Sequence, residues 1–331
     1  MIAMGLTRNV LAIAFGALGS VCVVSSDASA QGYPNRPIKL IVPLAVGGPA
    51  DAAARVFATA LTDAVGQNVI VENRAGASGV VGTEAVVKSP ADGYTLLFGS
   101  SSVFAVNPAV MKNLRFDVRK DLKLIGLVTQ TEHVLAVRPG IGANTLADLV
   151  KIAKAQPGKL SYASSGAGGI SHLASELFNL ETGTKILHIP FRGGGPALIG
   201  VLSGDADMCI NDIGITAPHV RSGKLTGLAI ASQQRSAMLP DLPTFTELGY
   251  PGIQSRSWYG LAAPAGTPAD AVQKLEAKTT EIAAATSFHA SLNKAGLQPL
   301  MMTPAETAVF IEGDLNKWAR VAKDAGVEAD K

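Results

Sequence analysis

The chain has 331 residues, a net charge of +2, 5% aromatic residues and no run of lysine or arginine. That balance speaks against a nucleic-acid partner, which requires a basic face and stacking side chains. Five scattered histidines and two cysteines show no metal-ligand spacing and leave no disulfide framework.

In chain order, the first segment reads as an export leader. Met1 to Asn9 carries Arg8 and no acid, Val10 to Val24 is almost wholly apolar, and Ala28-Ser29-Ala30 supplies a small-residue cleavage site before Gln31. Residues 1–30 are therefore predicted to be a signal peptide cut after Ala30. Lipid attachment at Cys22 is the competing reading, but Val21 stands where a lipoprotein signal wants a small residue. No later segment reaches the roughly 18 uninterrupted apolar residues of a membrane span. The mature protein is expected to be soluble and exported, with Cys209 unpaired. About 300 mature residues suffice for a core without disulfides and suggest two lobes.

Ile38 to Val42 reads as a short buried strand, Asp51 to Val65 as a helix stopped by Gly66, and Asn68 to Glu72 as a strand. Gly82 to Lys88 is a helix ended by Ser89-Pro90, and Tyr94 to Gly99 is a strand leading into Ser100-Ser101-Ser102. Leu124 to Val128 and Val134 to Val137 read as two further strands. A second series follows: helix Leu146 to Ala155, strand Leu160 to Ala163, helix Ser171 to Thr182, strand Ile186 to Ile189, helix Pro196 to Leu202, strand Ala206 to Ile210 and strand Leu225 to Ala231. Pro268 to Ala285, Phe288 to Ala295 and Pro304 to Ala325 close the chain as helices. Strands alternating with helices predict α/β lobes with mostly parallel sheets. The chain is expected to cross outward near Thr129 to Glu132 and return near Ser257 to Gly260. That puts residues 31–131 and 258–331 in lobe 1 and 132–257 in lobe 2.

Two glycine loops stand at corresponding places in the two series. Pro43-Leu44-Ala45-Val46-Gly47-Gly48-Pro49-Ala50-Asp51 follows the first strand, and Tyr162-Ala163-Ser164-Ser165-Gly166-Ala167-Gly168-Gly169-Ile170-Ser171-His172 follows an apolar run of the second series. Glycine admits close backbone approach, and the helix start behind each loop offers N–H groups to an anion. Ligands of such sheets bind beyond the carboxyl ends of strands. Ser100, Ser101, Ser102, the segment Pro190 to Gly195, and Asn211 and Asp212 stand at such ends as well, with Arg192 read equally as reaching the ligand's distal end or pairing on the surface. Asp51 and Ser171 read first as helix N-caps. His172 reads equally as an anion donor or a packed structural histidine, and Asp212 as a reader of a distal polar group or a cap. Trp258 and Tyr259 read as hinge or core packing.

These residues, with the motifs around them, resemble the Bug-type extracytoplasmic solute receptors of tripartite tricarboxylate transporters. The matching pieces are Tyr33-Pro34-Asn35-Arg36-Pro37-Ile38, Gly47-Gly48-Pro49-Ala50-Asp51, Val71-Glu72-Asn73-Arg74-Ala75-Gly76-Ala77, Ala91-Asp92-Gly93-Tyr94-Thr95-Leu96-Leu97 and Asn107-Pro108. Further along they are Pro157-Gly158-Lys159-Leu160, Tyr162-Ala163-Ser164, Ser171-His172-Leu173-Ala174, His188-Ile189-Pro190-Phe191-Arg192-Gly193, Trp258-Tyr259-Gly260 and Ala263-Pro264-Ala265-Gly266-Thr267-Pro268. The resemblance implies a two-lobed type II periplasmic-binding-protein fold. It implies a dicarboxylate, tricarboxylate, amino acid or aromatic acid gripped through loop N–H groups and water, and delivery to transmembrane permease subunits. It adds Asn107 to the candidate contacts, beside Phe191, Arg192 and Gly193 at the end of the Ile186 to Ile189 strand. Two positions depart from the pattern: Leu44, where an aromatic residue is frequent, and Arg192, where lysine is frequent. Arginine offers a bidentate fork that lysine lacks.

The expected protein is thus a monomeric periplasmic receptor without cofactor or metal. A receptor that signals to a membrane sensor is the alternative. A hydrolase is disfavoured, because no G-x-S-x-G elbow or P-loop is present and Ser164 or Ser165 has no evident base except His172.

Overall fold

The computed structural model describes residues 32–328. The chain divides into Met1–Gly32 and Tyr33–Lys331, and everything below concerns the second unit. The leader, its cut after Ala30 and Cys22 lie outside the described residues.

The first series opens with β1 (Ile38–Val42), α1 (Pro49–Val65) and β2 (Val69–Asn73). Pro49 at the first helical position and left-handed Gly66 at the end delimit α1, and its Ala50, Ala53, Ala54, Phe57 and Leu61 turn one stripe into the core. Next come α2 (Val80–Val87), β3 (Thr95–Ser100), a π-helical turn (Ser102–Val106) and α3 (Asn107–Val110). β4 (Leu122–Val137) follows, a strand of 16 residues.

The second series holds α4 (Leu146–Ala155), started by a Thr145–Asp148 capping box, then β5 (Ser161–Ser164), α5 (Ile170–Thr182) and β6 (Leu187–Pro190). After these come α6 (Gly194–Ser203), β7 (Met208–Asp212), α7 (Ile213–Arg221) and β8 (Thr226–Ile230). The chain returns through β9 (Arg256–Pro264), α8 (Ala269–Ala284), α9 (Thr286–Lys294), β10 (Gln298–Pro299) and α10 (Pro304–Ala325).

The sheet runs β2-β1-β3-β9-β4-β7-β5-β6, with β8 and β10 also on β4. Its outer pairs, β2 with β1, β1 with β3, β7 with β5 and β5 with β6, are parallel, as βαβ units require. The centre differs from the expected pattern. The strands anticipated at Leu124 to Val128 and Val134 to Val137 are one strand. Thr129 to Glu132 stay extended because they pair with β9, from Thr129 opposite Tyr259 to Glu132 opposite Arg256. Beyond Glu132 the strand changes partners, and His133 to Val137 pair with β7. The outward and return passages are therefore an antiparallel ribbon, and the two-lobed fold is joined through its sheet.

One apolar cluster also spans the two series. Ile170, Leu173 and Leu177 of α5 pack with Phe104 of the π turn and with Trp318, Val321 and Ala322 of α10. α10 begins at a Thr303–Glu306 capping box and packs along α5.

Candidate ligand-binding site

Leu44, Val46, Gly47, Gly48, Ser100, Ser102, Ser165, Gly193 and Asp212 line one cavity of about 350 Å³. It lies at the carboxyl ends of β1, β3 and β7, where the starts of α1 and α6 converge. Gly194, Gly195, Ile170, Ile199, Ser257 and Tyr259 complete its wall. Val46 and Ile199, one from each series, are 70% and 64% exposed and form its apolar rim. A cavity of about 740 Å³ between β4, α8 and α10 and one of about 330 Å³ beside the crossing ribbon bring no helix N-termini together.

The first loop is held from within. Gly48, not Asp51, is the N-cap of α1, with no side-chain cap. Asp51 sits in the first turn, where its carboxylate accepts the Gly47 N–H at 3.0 Å and pairs with Arg55 at 3.0 Å. Burial opposes its charge, but Arg55 and the Gly47 amide prevail and hold its pKa below the usual value. Gly47 has φ 78°, a conformation open to glycine. The N–H groups of Gly48 and Ala50 find no partner among the described residues, and both residues line the cavity.

The second loop differs from expectation, because the N–H groups of Ser165, Gly166, Gly168, Gly169 and Ile170 are already engaged. Ser171 is not the N-cap of α5, which is Gly169, but the second helical residue. Its hydroxyl accepts the Ser165 N–H at 2.8 Å. Gly168 N–H donates to His172 Nδ1 at 3.0 Å, Gly166 N–H to Ser164 Oγ at 3.2 Å, and Ile170 N–H to Ser102 Oγ at 3.3 Å. His172 is thus the packed alternative. It stacks on His188 at 3.8 Å, and His188 stacks on Tyr162. Burial, and for His172 also the His188 charge, lower their pKa values to about 3 and about 4. Both rings are neutral at pH 7, as an accepting Nδ1 requires. Ser164 is fully buried, 2.6 Å from His188 Nε2.

The donors of the second series come instead from α6. Gly194 and Gly195 N–H groups have no partner among the described residues, and both residues line the cavity. Asn211 stands behind them. Its Nδ2 donates to the Gly194 carbonyl at 2.8 Å and its Oδ1 accepts the Asp212 N–H at 2.9 Å. Phe191 lies under α6, where a Cβ on Gly200 would come within 2.3 Å of its ring. Arg192 is exposed, lies outside the lining and makes no ion pair among the described residues.

Ser101 is buried away from the cavity. Asn107, also buried, donates to the Ser78 carbonyl at 3.1 Å, and Ser78 donates to the Ala167 carbonyl at 2.8 Å, tying the first series to the second loop. Gly166, at φ 140°, would bring a Cβ within 3.2 Å of Ser78 Oγ, so this tie needs glycine. Ser257 and Tyr259 were not anticipated as lining. Strand alternation along β9 directs Tyr259 to the cleft and Trp258 to the opposite face.

Two polar groups of the wall lack protein partners. The Ser100 hydroxyl is buried and unbonded. The Asp212 carboxylate, at the N-cap position of α7, makes no cap bond and accepts no hydrogen bond among the described residues. Asp212 is also the sole charged residue of the lining, which contains no Lys, Arg or His. No group of His, Cys, Asp or Glu suited to a metal occurs among the described residues, and no described helix is long and apolar enough to cross a membrane.

The family model for the tripartite tricarboxylate transporter family receptor matches residues 53–327. Protein BugT of Bordetella pertussis is 38% identical over 326 residues, covering 98% of this chain and 99% of the relative. Among solved structures, R. palustris Rpa4515 with adipate superposes with a TM-score of 0.85 at 31% identity, over 89% of this chain and 99% of that one. MatC from Rhodopseudomonas palustris with bound malate superposes at 0.81 and 29% identity, over 87% and 99%.

Proposed function

The chain belongs to the tripartite tricarboxylate transporter receptor family, and from that premise we propose that it captures a small organic carboxylate in the 350 Å³ cleft and delivers it to transmembrane permease subunits. It is a periplasmic solute-binding protein of a receptor family, not an enzyme family. The observation that carries the ligand class is the convergence of unpartnered N–H groups from α1 and α6 on one cavity, with the orphan Ser100 hydroxyl between them. Such donors favour an anion without a cationic side chain. Adipate and malate in the two structural relatives support the same class.

In this reading Leu44, Val46, Gly47, Gly48, Ser100, Ser102, Ser165, Gly193 and Asp212 touch the ligand or its waters. Asn107, Ser164, Gly168, Ser171, His172 and Asn211 hold the wall in place. Lobe 1 comprises residues 31–131 and 258–331 and lobe 2 comprises 132–257, a division supported by the change of partners on β4 after Glu132. The receptor is exported through a leader cut after Ala30 and acts as a monomer.

The test is calorimetric titration of protein unfolded and refolded to remove carried-over ligand. Mono-, di- and tricarboxylates are titrated beside their neutral amides. At least one acid is expected to bind, with its amide at least about 100-fold weaker, since an amide leaves the cleft donors poorly matched. Binding of no acid, or equal binding of acid and amide, overturns the proposal.

A further inference from the structure

A carboxylate ligand leaves Asp212 unexplained. The residue is 8% exposed, lines the cleft and is the only charge there, of the sign that repels an acid. A buried carboxylate without hydrogen bonds is costly, so a residue of this kind normally has a partner.

Among the described residues no group donates a hydrogen bond to the Asp212 carboxylate. The α7 amides behind Asp212 receive no side-chain bond from it. His133 Nε2 is 3.6 Å from Oδ1, outside hydrogen-bond range. Its two ring nitrogens are already held by Ser255 Oγ at 2.8 Å and Ser257 Oγ at 2.9 Å. Tyr259 is kept as a phenol by burial first and by the Asp212 charge second. The Asp212 backbone is braced by Asn211, which leaves the carboxylate fixed at the end of β7 where the crossing ribbon floors the cleft.

We propose that Asp212 receives the protonated amine of a zwitterionic ligand, so that this cleft selects an amino carboxylate over a dicarboxylate. The inference rests on the carboxylate reading above and adds the second pole. The ligand's acid group lies on the α1 and α6 amides, its amine on Asp212, and its carbon body against Leu44, Ile170 and Ile199. A dicarboxylate would place its second anion in a wall that holds no cation and one anion. A zwitterion leaves neither Asp212 nor the helix starts unmatched.

The test uses the refolded full-length receptor and length-matched ligands of three to eight carbons. Each α-amino or ω-amino carboxylate is compared with the alkanoate and the α,ω-dicarboxylate of the same length, for example norleucine and 6-aminohexanoate with hexanoate and adipate. The tightest ligand is expected to carry an amine and to exceed both of its matched partners by about 100-fold or more. Asp212→Asn, nearly isosteric, is expected to lose that preference, its amino-carboxylate affinity falling to within about tenfold of the matched alkanoate's in the same variant, with a thermal melt as folding control. A tightest ligand that lacks an amine overturns the assignment, as does an amine preference unchanged in Asp212→Asn. The first comparison needs no variant. Binding of no acid at all defeats the carboxylate reading itself and this assignment with it.

Discussion

Ser100 carries a hydroxyl that is buried, faces the cleft and bonds to nothing in the protein. An orphan of this kind costs stability in the empty receptor and is recovered only when a ligand or its water bonds to it. Ser100→Ala is therefore expected to leave the melting temperature of the ligand-free protein unchanged or slightly raised. Calorimetry should show carboxylate affinity lowered by about tenfold. Ser101→Ala removes an equally buried orphan hydroxyl that does not line the cavity, and its affinity should match the parent's. The sequence indicated which short segments approach the ligand, because glycine and serine runs at strand ends are visible as such. It did not indicate which amides remain free. Ser171 and His172 lie six and four residues, respectively, from the amides they bind. Whether a side chain turns back onto its own loop depends on where the helix begins, and here it begins at Ile170.

At the scale of elements, the βα units were legible and the ribbon was not. β1 is a β-branched run and α1 is bounded by Pro49 and Gly66, signals that need no tertiary context. Thr129-Gln130-Thr131-Glu132 is polar and reads as a break, yet it is a strand because β9 lies beside it. α7 was missed because Pro218 falls inside its nine residues.

The stack of His172 on α5 and His188 on β6 has a consequence for pH. Both folded pKa values, about 3 and about 4, lie below the ordinary 6.5. Near pH 5 the folded rings are neutral while the unfolded ones are charged, so unfolding takes up about two protons from this pair. Its stabilising contribution is full above pH 6.5 and is lost as the pH falls through 4. Denaturant titrations across pH 4 to 7 should show stability rising with pH. His188→Gln should lower proton uptake near pH 5 by about one. An unchanged slope in the variant would rule out the neutral pair.

For the whole molecule, ligand capture by two lobes requires a hinge, and the crossing ribbon is the continuous connection available for it. The apolar seam between α5, the π turn and α10 opposes free opening, because separating Leu173 and Leu177 from Phe104 and Trp318 exposes them to water. Leu177→Ser should shift the ligand-free population toward open forms. The expected readouts are a larger radius of gyration by small-angle scattering without ligand and a weaker affinity, since the closed form must then be recovered at binding. Saturating ligand should restore the parent's radius. A variant whose radius equals the parent's in both states would show that the seam does not restrain the cleft.

The chain contains two tryptophans, and both stand at this junction. Trp258 lies on the ribbon, stacked on Phe104 at 5.8 Å and donating to Asp314 at 2.6 Å. Trp318 sits in the seam, 1% exposed, beside Lys317. Tryptophan emission, excited at the red edge where tyrosine does not absorb, thus originates from the ribbon and the α5–α10 seam alone. The receptor is its own optical reporter: stopped-flow fluorescence can follow capture and release in real time, and each tryptophan replaced in turn by phenylalanine separates bending of the ribbon from parting of the seam.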